Sequence, residues 1–298
     1  MSSTTSLGQS AEIRSFLLDN FNQVPETKNR SKHEHASKKR AKNKPKSTIF
    51  NKLIKTGLIS WAILFTIWTI AAHYNGPDFL PSPKLTFEGF KEILFNGVLL
   101  TDIKVSMLRV FLGWMRGLII AIPLGLLIGQ FKLVKGIVEP LINFFRFVPA
   151  IGFLTLFLMW FGIGEASKLA LITYAVVFPV VINTIAGVNS IDKVKYQAAE
   201  SLGAGKLRTF FTITIPGAVP GILTGVRLGL SGAIISIVAA EMLAANEGLG
   251  FLIYTSRLYY RTDLIFVGIF VLGIIGFLAD KLIRLLAYKF FKYYGISK

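Results

Sequence analysis

Long apolar runs separated by short polar stretches set the frame of this chain. They cover roughly 57–73, 105–129, 137–159, 168–188, 218–240 and 264–286, and several approach the 20 residues or so that cross a hydrocarbon core of about 30 Å. The pattern predicts an all-α polytopic membrane protein with six transmembrane helices. Pro123, Pro140, Pro149 and Pro179 interrupt or border these runs. Such breaks are tolerated inside a bundle, where neighbours satisfy the freed backbone groups. Gly113, Gly117, Gly125 and Gly129 recur four or eight residues apart, which predicts a face for close helix packing. The same spacing also arises by chance in glycine-rich membrane helices.

Composition agrees. Of 298 residues, 53% are hydrophobic and only 16% charged, too apolar for an ordinary soluble domain. There is no cysteine, which excludes disulfide scaffolding and cysteine-based metal sites. His33, His35 and His73 are scattered, so no histidine cluster exists. The net charge of +17 suggests nucleic acid until its distribution is read. It gathers in the segment from Arg30 to Lys55, where Glu34 is the one acid, and in the acid-free stretch after residue 280. Such flanks belong beside anionic lipid on the cytosolic side, so no nucleic-acid partner is expected.

Six spans put both termini on one side. The basic arm, "QFKLVKG" at 130–136, Lys193, Lys195, Lys206, Arg208 and the C-terminal "KFFKYYGISK" make that side the cytosol. The expected organisation is a disordered basic arm over 1–50, with a short helix around "AEIRSFLLDNF"; a first span and external segment over 51–94; a core over 95–289; and a short cytosolic tail over 290–298. No signal peptide is expected, because the first strong apolar run begins near residue 57 without a clear cleavage site.

Candidate chemistry is sparse. Glu165 and Glu241 have no histidine, second carboxylate or activated nucleophile at useful spacing, and no zinc-binding spacing exists. The chain is therefore not expected to be an enzyme, and no catalytic, cofactor or metal residues are assigned. Arg109, Arg116, Arg146 and Arg227 each lie in or near a span. A charge there faces a bundle interior, a cavity or an interface, and arginine offers donors matched to oxyanions. Snorkelling or helix pinning remains the alternative, notably for Arg109 and Arg146. "FRFVPAIGFLTLFLMWFGIGE" at 145–165 reads as a kinked, aromatic-rich pathway segment, or else as packing.

"QAAESLGAGKLRTFFTITIP" at 197–216 is the most polar stretch of the second half. It fails as a phosphate loop, since Leu207 follows Lys206 where Ser or Thr is required. As structure it reads as two short helices joined at Gly203 or Gly205, with Pro216 and Pro220 resetting the chain before the next span. The stretch resembles the cytoplasmic EAA loop of permease subunits in binding-protein-dependent ABC importers. The pattern is met by Gln197, Ala198, Ala199, Gly203, Ile213 and Pro216, with Gln197 in place of Glu and Ile215 in place of Leu. Over about 95–285 the chain is similar to permeases for aliphatic sulfonates and taurine, a group with nitrate and bicarbonate members.

The resemblance implies a type I importer permease fold with cytosolic coupling helices in the bacterial inner membrane. It implies a homodimer, two partner ATPase subunits that bind ATP and Mg, and a periplasmic or lipid-anchored solute-binding protein. Gln197, Ala198, Ala199, Leu202, Gly203, Ala204, Ile213 and Pro216 would couple to the ATPase. Arg146, Pro149, Phe153, Met159, Arg227 and Glu241 are the pathway candidates. A small anion is the expected solute, with aliphatic sulfonate or taurine ahead of nitrate, nitrite or bicarbonate. Two rivals are a secondary ion-coupled carrier, which should show repeated halves, and an assembly protein, which would not need the polar elbow.

Overall fold

The computed structural model describes residues 58–291, so the expected arm over 1–50, its short helix and most of the tail lie outside the described residues. Residues 65–291 pack as one unit. Among the described residues there are helices and no strands. Helix α1 is Leu58–Asn75, and its Trp68 stacks on Phe266 and Phe270 at 5.7 and 5.3 Å. The amphipathic helix α2, Pro83–Phe95, starts cleanly because Ser82 accepts a bond from Leu85 N and Pro83 occupies the first turn.

The centre is a three-helix slab. Helix α3 (Val98–Gln130) and helix α6 (Glu165–Asn189) run parallel, and helix α9 (Ile215–Ala244) runs against α6 on its other side. Membrane helices have no hydrophobic drive to associate within lipid, so close packing must hold them. Here the glycines supply it. A Cβ at Gly113, Gly117, Gly125 or Gly129 of α3 would stand 2.6, 2.6, 2.6 or 2.7 Å from the Cβ of Ile172, Val176, Thr184 or Val188. Across the other face, Gly221 meets Gly187 and Gly225 meets Val180 backbone to backbone. The expected glycine packing face is therefore present and is directed at α6, whose Leu171, Ile172, Val176, Val180 and Val181 are fully buried.

Two expectations about spans change. The run 137–159 is two arms meeting at 91°: α4 (Lys132–Phe145), and a 3-10 turn (Ala150–Phe153) leading into α5 (Leu154–Phe161). Pro149 causes the break, since the residue before a proline is pushed out of helical geometry. Pro123, Pro140 and Pro179, by contrast, sit inside helices. The carbonyl that Pro179 leaves unbonded, that of Ala175, faces Gly232 of α9, where a Cβ would stand 2.9 Å away. Among the described residues four helices are long and apolar enough to span, and the bent pair would be a fifth. The first expected span, 57–73, is α1, which lies outside that count.

Pro216 and Pro220 do not reset the chain either. Helix α7 is Lys193–Ser201, and α8 (Lys206–Thr209) continues through a π turn at Phe210–Thr214 into α9. Ile215 N reaches back to Phe210 O, and this wider turn absorbs the register change that a proline forces on a helix. Helix α10 (Leu249–Leu258) and helix α11 (Thr262–Phe291) complete the chain. Ile269, Ile274, Phe277, Leu282 and Leu285 of α11 stay exposed, a surface for lipid or a partner rather than for water.

Candidate functional site

The polar elbow is built from both ends. Asp192 caps α7 by accepting from Val194 N at 2.9 Å. At the far end Gly203 takes φ +74°, a left-handed conformation that favours glycine. Gly203 N then donates to Glu200 O, and Ala204 N to Ala199 O, both at 2.9 Å, closing the helix with paired bonds. Tyr196 Oη lies 3.2 Å from Thr214 Oγ1, which donates to Gln130 Oε1 at 2.8 Å. Ile191 fills the space over Gly217. The floor of the elbow is thus tied to the ends of α3 and α9.

Its outward surface is apolar and basic. Val194, Leu202, Leu207 and Phe211 are exposed next to Lys193, Lys195, Lys206 and Arg208, which are exposed too. Gln197 and Ala198 are exposed, Ala199 and Ala204 half-buried, and Ile213 and Pro216 sit partly buried in the floor. The main-chain carbonyl of Gln197 accepts from Ser201 Oγ at 2.9 Å.

A second feature lies at the bend between α4 and α5, level with the middle of α6. A cavity of about 440 Å³ is lined there by Arg146, Pro149, Ile151, Tyr174, Phe178 and Ile235, among others. Tyr174 fixes the bend by donating to Phe145 O at 3.0 Å and packing on Phe153 at 4.6 Å. Arg146 is exposed, stacks on Phe147 at 4.6 Å, and has no carboxylate partner among the described residues. Of the pathway candidates, Arg146 and Pro149 line this cavity, and Phe153 borders it through Tyr174. Met159 points outward, 69% exposed. Arg227 is paired with Asp280 at 2.8 Å, and Arg284 shares that carboxylate.

Glu241 is elsewhere and fully buried, at the end of the slab opposite the elbow. It accepts from Ser106 Oγ at 2.8–2.9 Å, Arg109 Nη1 at 2.8 Å and Gly250 N at 2.9 Å. Arg109 also forks onto Glu165 at 2.7 and 2.8 Å and donates to Glu247 O at 2.7 Å, while Lys168 joins Glu165 at 2.7 Å. Asp102 accepts from Gly248 N, and Ser106 from Leu249 N, each at 2.8 Å. One network thereby joins α3, α6, α9 and the start of α10. Buried charges persist only when paired and hydrogen-bonded throughout, and no buried side-chain polar atom among the described residues lacks a partner. This cluster was not among the features expected from the sequence. Its signal was the spacing of Asp102, Ser106 and Arg109, one polar stripe on an otherwise apolar helix.

At the other end of α10, Arg261 holds Asp263 at 2.9–3.0 Å and Glu92 of α2 at 2.7 and 3.3 Å. These carboxylates push the guanidinium above its already high value, and the hydrogen bond from Arg261 holds the Glu92 carboxyl below its ordinary one.

A glycine-packed helical slab, a bent span and a protruding elbow define a polytopic membrane permease. Residues 121–292 match the family of binding-protein-dependent transport system inner membrane components, and the chain belongs to that family. It is 36% identical over 241 residues to the taurine transport system permease protein of Escherichia coli (strain K12), covering 78% of this chain and 88% of that one. It is 30% identical over 256 residues to the nitrate import permease protein of Synechocystis sp., covering 83% and 93%. A structure of the MetNI methionine ABC transporter in inward-facing conformations superposes with a TM-score of 0.54 at 19% identity, over 63% of this chain and 95% of that one, which establishes the type I permease fold. The chain is therefore a multi-pass inner-membrane permease subunit of an ABC importer. It is not itself an enzyme and needs no cofactor of its own; ATPase and solute-binding proteins are its partners.

Proposed function

We propose that two copies of this chain form the membrane pathway of an importer for a small anion, foremost taurine or another aliphatic sulfonate. The observation that carries this reading is Arg146, a cation without a carboxylate partner among the described residues, at a largely apolar cavity of about 440 Å³. A sulfonate accepts hydrogen bonds from a guanidinium in a planar fork, and its short alkyl chain suits walls such as Ile151, Phe178 and Ile235. The taurine-named relative supports this choice. The nitrate-named relative supports a second reading, nitrate, with nitrite and bicarbonate in the same alternative, for which the apolar wall has no use. Pro149 and Phe153 would shape the pathway. Met159 would meet the second copy or lipid, while Arg227 and Glu241 would hold helices together beside it.

In this reading both termini are cytosolic, residues 1–50 form a basic arm and 290–298 a tail, and 51–94 precede a permease core over 95–289 with its coupling loop at 191–216. The elbow docks on an ATPase subunit, which holds ATP and Mg. Leu202 and Ala198 present the contact, Gln197, Ala199 and Ala204 flank it, Gly203 sets the turn, and Ile213 and Pro216 anchor it. A movement of the elbow is passed through α8 and the π turn to α9.

Two measurements test this. A ligand panel against the cognate binding protein should give tight taurine binding; nitrate or bicarbonate binding without sulfonate binding overturns the solute. In proteoliposomes holding the whole transporter, Arg146→Met should lower taurine uptake by at least about tenfold, with ATPase assembly intact.

A further inference from the structure

Two helices of this protein end in the same closing motif with different residues at its left-handed position. In α7 that position is Gly203. In α10 it is Tyr260, at φ +55° the one non-glycine residue with positive φ among the described residues. Tyr260 N donates to Arg257 O at 3.3 Å, and Arg261 N to Ser256 O at 2.9 Å, the same paired bonds as in α7. A bulky L residue is strained there and glycine is not.

The strain persists because α10 is fastened at both ends. At its start, Gly248 N, Leu249 N and Gly250 N bond Asp102, Ser106 and Glu241, and Glu247 O accepts from Arg109. After its end, Arg261 grips Asp263 and Glu92, and Thr262 Oγ1 donates to Asp78 O at 2.7 Å. Yet the tyrosine that bears the strain packs on little. Tyr260 is 86% exposed and Tyr259 77%. Arg257 is exposed and has no carboxylate partner among the described residues. With Tyr254, Leu258 and Thr262, Arg257 and Tyr260 line a recess of about 550 Å³.

Strained residues held by over-determined surroundings mark functional surfaces, and rigid tyrosines beside an arginine are the side chains that dominate protein contacts. We propose that this turn is a preformed docking post for the extracytoplasmic solute-binding protein, with Tyr260 as its anchor and Arg257 as the receiver of an acidic group on that partner. The inference rests on the orientation given under Proposed function, which puts α10 outside. A tyrosine serving only as a lipid-interface anchor would do so equally well from an unstrained position in the same turn, which favours a protein partner.

The test uses the complete transporter with its ATPase subunits in nanodiscs and, as probe, the purified cognate binding protein loaded with taurine. Tyr260→Gly relieves the strain, so its melting temperature should be no lower than wild type and its basal ATP hydrolysis unchanged. The binding-protein concentration giving half-maximal stimulation should rise by about tenfold or more. Arg257→Glu should raise it similarly, most at low salt. Unchanged half-maximal stimulation in Tyr260→Gly overturns the proposal, including the case in which only the depth of the turn in the lipid changes. A lowered melting temperature also overturns it, because the ring would then be packing within its own chain. Failure of the binding protein to stimulate wild type would overturn the importer reading itself and this proposal with it.

Discussion

Glu241 has no exposed surface and serves three donors. Glu241→Ala would leave the Arg109 guanidinium facing only Glu165 and Glu247 O, with Gly250 N unbonded. Breaking a buried pair in this way costs about 3–5 kcal/mol. The variant should fail to yield folded protein on size-exclusion chromatography, while Glu241→Gln, which keeps acceptor capacity, should survive with a lowered melting temperature. At Gly203 the expectation is different, because nothing lies within 4 Å of a Cβ there. Gly203→Val is strained by its φ of +74° but meets no clash, at a local cost of about 1–2 kcal/mol. The permease should still fold, and its co-purification with the ATPase should drop. Retained ATPase coupling in an assembled Gly203→Val transporter would count against the elbow as the coupling contact. Single residues were unevenly legible in the sequence. Gly203, alongside Gly205, was marked because a left-handed helix end calls for glycine, whereas Glu241 looked like an isolated acid, since its side-chain partners Ser106 and Arg109 lie 135 and 132 residues away along the chain.

Between elements, close approach decides. Gly117→Leu puts a side chain where a Cβ alone would already stand 2.5 Å from Val176 Cγ1, so α3 and α6 must separate. Gly136→Ala in α4 meets nothing within 4 Å and should be neutral or stabilising by up to about 1 kcal/mol. Thermal unfolding in detergent should separate the two clearly, and Val176→Ala should partly rescue Gly117→Ala. The contact between α2 and the α10–α11 turn adds a pH dependence. Arg261 holds Glu92 below its ordinary value of 4.5, so the pair stabilises the fold fully above about pH 4.5 and loses that support as pH falls through the lowered value. Glu92→Gln should lower the melting temperature slightly at neutral pH and leave it unchanged in acid, so that this part of the acid-induced drop disappears. Glycine spacing marks a packing face in the sequence, but not α6 as its target, because that requires knowing the direction of two helices. The proline rule succeeded at Pro149 and failed at Pro179 and Pro216, where a glycine on α9 or a π turn accommodates what the ring removes.

Across the whole molecule, the helical class, most span positions and the elbow were readable from hydropathy and turn chemistry, since each is local. The charge network and the fastening of α10 were not, because they exist only where distant segments meet. The π turn at Phe210–Thr214 makes this concrete, since it keeps Lys206–Ala244 a single run of 39 residues, about 58 Å long. In the proposed orientation that run begins at the cytosolic elbow and ends just past Glu241, so the two faces of the membrane share one shaft. A tilt of about 10° at its inner end would carry its outer tip through about 10 Å, given that length. The turn is also the place where the shaft's hydrogen bonding widens from the α pattern. Thr212→Gly, chosen to slacken it while keeping the bonds of Thr214 to Gln130 and Tyr196, should leave ATP hydrolysis running while solute uptake falls, an engine turning with its drive shaft slipping.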